Sequence, residues 1–134
     1  MKRFTISLIL LSIICVCTGC NQLINTGATM ENPNLAHNVF FQLKDGSDAA
    51  VESLVGECHT YLKDHPGVVY FSAGRLVAKH DREVNVSDFH VGLHVVFDNK
   101  ASHDLYQEAA DHKTFIERNQ ANWAGVRVFD TYVR

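Results

Sequence analysis

From residue 37 onward the apolar positions recur with two periods that take turns along the chain. Residues 37–43 (His-Asn-Val-Phe-Phe-Gln-Leu) are rich in β-branched and aromatic side chains and stop at Lys44-Asp45-Gly46, which predicts a strand closed by a turn. The period then lengthens. Val51, Leu54, Val55, Cys58 and Leu62 share one helical face behind Ser47, a good N-cap, so a helix is expected to end near Asp64. The His65-Pro66-Gly67 break stops it, and residues 68–77 read as a second strand. A charged loop over residues 79–88 leads to a third strand over residues 89–97. Residues 102–110 read as a helix, the pattern stays helical through an irregular joint up to Trp123, and residues 126–133 form the last strand. The order βαββαβ is an α+β, ferredoxin-like arrangement.

The third strand carries Val91, Leu93, Val95 and Phe97 on one face and Gly92, His94 and Val96 on the other. Neither face is made for water. Two helices cover only one side of a four-stranded antiparallel sheet, so a second sheet is expected over the other side, and a homodimer supplies it.

The first residues follow a different pattern. Lys2 and Arg3 precede an apolar run over residues 4–16 and the sequence Cys17-Thr18-Gly19-Cys20, which reads as a secretory signal peptide. The run is shorter than the roughly 20 residues of a membrane-spanning helix. Its ending resembles a bacterial lipobox, although Cys17 stands where Leu is usual; the resemblance implies cleavage before Cys20 and acylation of that cysteine. The expected organisation is a signal peptide over 1–19, a lipidated Cys20 and flexible tether over 20–36, and one domain over 37–134. The expected address is the cell envelope, with attachment to the membrane through Cys20. Asn21 favours the outer membrane in a diderm cell. Cys15 and Cys17 would leave with the signal peptide and Cys20 would carry lipid. Only Cys58 then remains in the domain, which excludes an internal disulfide.

At 134 residues the chain has room for a single core. With 46% hydrophobic residues, 20% charged residues and a net charge of −3, it is neither a disordered chain nor a nucleic-acid binder.

The strand His37-Asn38-Val39-Phe40-Phe41, the turn Pro66-Gly67-Val68, Tyr106 with His112 and Phe115, and the ending Val128-Phe129-Asp130-Thr131-Tyr132 together resemble the stress-responsive dimeric A/B barrel family. The resemblance spans residues 37–134 and implies a dimer whose two sheets form an α/β barrel. The family commonly follows its Tyr with a His-Pro pair and a second His; here the pair is Ala109-Ala110, while Tyr106 and His112 are kept. In a plant polyketide-cyclase branch the matching Tyr and His act in an aldol cyclisation. By that resemblance His37, Tyr106, His112 and Trp123 line a pocket walled by Val39, Phe41, Leu93 and Val95. Cys58 stands where the cyclase has an aromatic residue.

The chemistry of these residues leaves two roles open. His112 suits a general base near neutral pH and Tyr106 suits a hydrogen bond to a developing enolate. Equally, His112 joins two helical pieces and Tyr106 packs under the sheet with its hydroxyl satisfied locally. His37 orients His112, binds a polar ligand group or bonds a neighbouring strand. His90 and His94 are expected on the barrel-facing side, His59, His65, His80 and His103 at the surface, and Cys58 as an inert buried thiol. Asp130 is expected as an exposed strand residue or a subunit contact. No cofactor and no metal site is expected. The leading expectation is a homodimer binding a small apolar organic molecule. The rivals are a lyase or isomerase using His112 and Tyr106, a haem binder by fold analogy, and an envelope interaction module, so whether the chain is an enzyme stays open.

Overall fold

The structure, a computed structural model, describes residues 32–80 and 82–134. The signal peptide, Cys20 and most of the expected tether lie outside the described residues. Four strands and three helices follow in the order β1 (Asn34–Leu43), α1 (Asp48–Tyr61), β2 (Val68–Arg75), β3 (Val91–Phe97), α2 (Lys100–Glu108), α3 (Ala110–Asn119) and β4 (Trp123–Val133), with one 3₁₀ turn, Gln120–Asn122, before the last strand. The strands form one antiparallel sheet in the order β2-β3-β1-β4, the ferredoxin-like topology. Strand β1 begins three residues before the expected His37, because Asn34, Leu35 and Ala36 already pair with β4.

The period-2 pattern of β1 builds the core directly. Leu35, His37, Val39, Phe41 and Leu43 point to the helical side and are all buried, as are Val91, Leu93, Val95 and Phe97 of β3. Helix α1 lays Val51, Leu54 and Cys58 onto them, with Leu62 at its C-cap, and its first turn is capped by Ser47 Oγ accepting from Ala50 N–H. The joint foreseen between the last two helices falls at Ala109, whose ψ of 144° is extended and starts a new helix without a side-chain cap. Among the described residues no helix is long and apolar enough to cross a membrane.

Among the described residues no helix covers the other sheet face. It presents Asn38, Phe40, His94, Val96, Tyr70 and Phe129, and Phe40 packs its ring edge-on against Phe89, His94 and Phe129. Tyr70 and Phe129 are each more than half exposed. His94 lies on this face as expected, donating through Nδ1 to Asn38 Oδ1 at 2.8 Å. His90 does not. It precedes β3, and its Nδ1 accepts the Leu43 N–H at 2.9 Å, closing the turn after β1.

Candidate functional site

A cavity of about 170 Å³ opens between the sheet and helices α2 and α3. Its walls come from β1 (His37, Val39, Phe41), β3 (Leu93), α2 (Tyr106), α3 (His112, Phe115) and β4 (Trp123, Val126, Val128). The fold therefore brings together His37, Val39, Phe41, Leu93, Tyr106, His112 and Trp123 as expected. Val95 is the exception. Its side chain is completely covered by the helices and has no surface left to line a cavity. Cys58 is also fully enclosed beside the cavity, and burial pushes its thiol up to about 12, so it carries no thiolate at neutral pH.

Two polar atoms on the cavity-lining residues have no hydrogen-bond partner: Tyr106 Oη and Trp123 Nε1. The expectation that the Tyr106 hydroxyl is satisfied locally is thus overturned, because its neighbours are rings. Phe97, His65 and His112 pack around it with centroids 5.0, 4.9 and 4.5 Å away. Burial holds this phenol well above its ordinary value, so it stays protonated.

His112 spans the joint between α2 and α3, donating through Nδ1 to the Gln107 carbonyl at 3.2 Å. That bond selects the tautomer with a free lone pair on Nε2. Burial is the main cause that lowers its pKa, and the other histidines around it push the same way, so the ring is a neutral base. His37 does not orient His112. Its Nδ1 donates to Asp130 Oδ1 at 2.7 Å, a pair set by the β1–β4 register that places the two residues opposite one another. Burial lowers the His37 pKa more than Asp130 raises it.

Two histidines expected at the surface are largely covered. His103 on α2 lies tilted 5.1 Å from His37 and edge-on 5.4 Å from Phe97, and His65 donates through Nε2 to the Tyr61 carbonyl at 2.8 Å while packing on Tyr106. Both follow residue types that favour water, and only the packing of α2 against the sheet reveals them. Val126 and Val128 were also missed as cavity residues. Plain alternation puts Trp123 on the opposite face from Val126 and Val128, and only the register shift at Gln42/Leu43 brings all three to the helical side. His59 and His80 are exposed as expected.

A four-stranded antiparallel sheet with helices on one face and a small cavity in the seam defines an α+β domain of the ferredoxin-like class. The profile of the stress responsive A/B barrel domain matches residues 35–133, and the chain belongs to that family. No curated protein matches it. Among solved structures, a ferredoxin-like member of the same family from Mesorhizobium loti is similar over 76% of this chain and 98% of its own, with 21% identity and a TM-score of 0.64. A dimeric ferredoxin-like protein from Jannaschia sp. shares 21% identity over 75% of this chain and 99% of its own, with a TM-score of 0.61. The hydroxynitrile lyase of Passiflora edulis is 13% identical over 77% of this chain and 95% of its own, with a TM-score of 0.63. At these identities the likeness is one of fold.

Proposed function

We propose that this chain is a homodimeric, membrane-tethered binding domain whose cavity takes a small, largely apolar organic molecule bearing a hydrogen-bond acceptor. The observation that carries the reading is the pair of unpartnered buried groups, Tyr106 Oη and Trp123 Nε1, on residues lining one apolar cavity. A buried donor without a partner costs about 1–3 kcal/mol, and a ligand acceptor removes that cost on binding. Size narrows the class. A dry cavity of about 150 Å³ holds benzene, while sites for drug-sized ligands occupy about 300–1,000 Å³, so about 170 Å³ favours a single ring or a short chain over a haem.

Trp123 is the one tryptophan of the chain, so its emission reports occupancy directly. Titrating the full-length chain in mild detergent with benzaldehyde should give a saturable change, with benzene, which lacks an acceptor, binding about tenfold more weakly. Tyr106→Phe and Trp123→Phe test the two donors, the latter by calorimetry. No saturable response to either probe would count against the cavity as a binding site.

A second reading, a lyase or isomerase, draws on the neutral His112 with its free Nε2 beside a protonated Tyr106. There His112 takes a proton next to a carbonyl and Tyr106 donates to the enolate oxygen. His112→Ala should then abolish turnover of any substrate found, whereas retained turnover excludes the role. Tethering draws on residues 1–20 alone: Cys20→Ser should remove palmitate labelling, and a label that persists refutes it.

A further inference from the structure

The seam between helices and sheet holds a second group of side chains that shares only His37 with the cavity. His37 of β1, His103 of α2 and Asp130 of β4 converge so that one donor atom of each lies within 4.8 Å of the other two. His103 and Asp130 do not line the Tyr106 cavity. They line a neighbouring one of about 250 Å³, together with Leu35, Asp104 and Tyr132. We propose that His37, His103 and Asp130 form a binding site for a divalent transition-metal ion, of which Zn²⁺ best suits two imidazoles and one carboxylate.

The fold holds each donor in place from a different element. The β1–β4 register sets His37 opposite Asp130, and α2, capped by Asn99 accepting from Ser102 N–H, lays His103 over His37. Ligands about 2.0–2.2 Å from a tetrahedral zinc stand roughly 3.3–3.5 Å apart. The His37 Nδ1 to Asp130 Oδ1 distance of 2.7 Å therefore has to open by less than about 1 Å, and the widest separation, at most 4.8 Å, has to close by about 1.5 Å. Rotation of Asp130, whose side chain is 46% exposed, supplies such movement.

An ion bound through His37 Nδ1 takes the place of the hydrogen bond to Asp130, and the ring stays neutral with its proton on Nε2. Asp104 stands 3.3 Å from His103 Nδ1 and is itself paired with Lys100 of the same cavity, and an ion on His103 Nε2 would take the place of the Gln107 amide now 3.1 Å from it, so Asp130 supplies the charge that meets the ion. The cavity of about 250 Å³ leaves room for the water that completes the coordination when the protein supplies three ligands. This assignment shares His37 with the ligand cavity, while His103 and Asp130 belong to the neighbouring one, so substitutions at those two test the ion site apart from the ligand reading.

The test is calorimetric titration of the untagged, chelator-stripped full-length chain with Zn²⁺ alone, paralleled by Co²⁺ absorption to report coordination geometry. One ion per chain is expected, with affinity falling about tenfold or more in His103→Ala and in Asp130→Asn, and unchanged in His80→Ala, an exposed histidine elsewhere. Circular dichroism checks that each variant is folded; should His103→Ala not fold, the near-isosteric Asp130→Asn carries the test. Absence of binding, or binding that the Asp130 and His103 substitutions leave unchanged, overturns the site.

Discussion

Gly67 turns the chain from α1 into β2 at a φ of +83°, a region side chains rarely adopt, and a Cβ there would run into the Ser102 side chain at the start of α2. Gly67→Ala should therefore cost about 1–3 kcal/mol in urea unfolding, from backbone strain and overlap together. His112 gives a pH dependence of defined sign. Its pKa in the folded chain lies below the ordinary 6.5, so as the pH falls through the window beneath 6.5 the unfolded chain takes up the proton first. Protonation then favours unfolding. The His112 contribution should be complete above that window and be lost as the pH falls through it, and His112→Gln should remove part of that decline in a series of melting temperatures against pH.

The elements translate these residue properties into position. Helix α2 depends on Asn99, whose Oδ1 accepts the Ser102 N–H at 2.9 Å, and this first turn sets both His103 and Tyr106 against the sheet. Asn99→Ala should cost about 0.5–2 kcal/mol, with Asn99→Asp retaining most of the stability, as read from denaturant midpoints. The third strand was legible because its alternation is regular: Val91, Leu93, Val95 and Phe97 are all buried, with small Gly92 buried on the other face. Register is a different matter. Nothing in the spacing of His37 and Asp130 announces that β1 and β4 pair them, and the Asp130 partnership follows only from that pairing. His90 was misread for a related reason. Alternation extended from β3 assigns it a face, but the strand starts at Val91, and the ring turns back to cap Leu43.

For the whole molecule the bare sheet face sets the question of assembly. Phe129 is 52% exposed in a cluster with Phe40, whereas Leu105 is 71% exposed on the helical layer. If two copies bury their sheet faces against each other, Phe129→Asp should shift sedimentation equilibrium from dimer to monomer, and Leu105→Asp should leave the mass unchanged. A monomeric parent protein would remove the barrel arrangement from the proposal.

Sequence alone determined the order of elements, the faces of β3, the cap at Ser47 and the joint near Ala109, because these depend on local periodicity and on neighbours a few residues away. It also assembled, through family resemblance, most of the residues that line the cavity. Tertiary structure decided the rest. Only packing shows that Val95 is sealed beneath the helices, that Tyr106 Oη and Trp123 Nε1 are left without partners, and that His103 comes to lie against His37 and Asp130. Each of these depends on contacts between residues far apart in the chain, which share no period and no spacing until the sheet and helices have closed on one another.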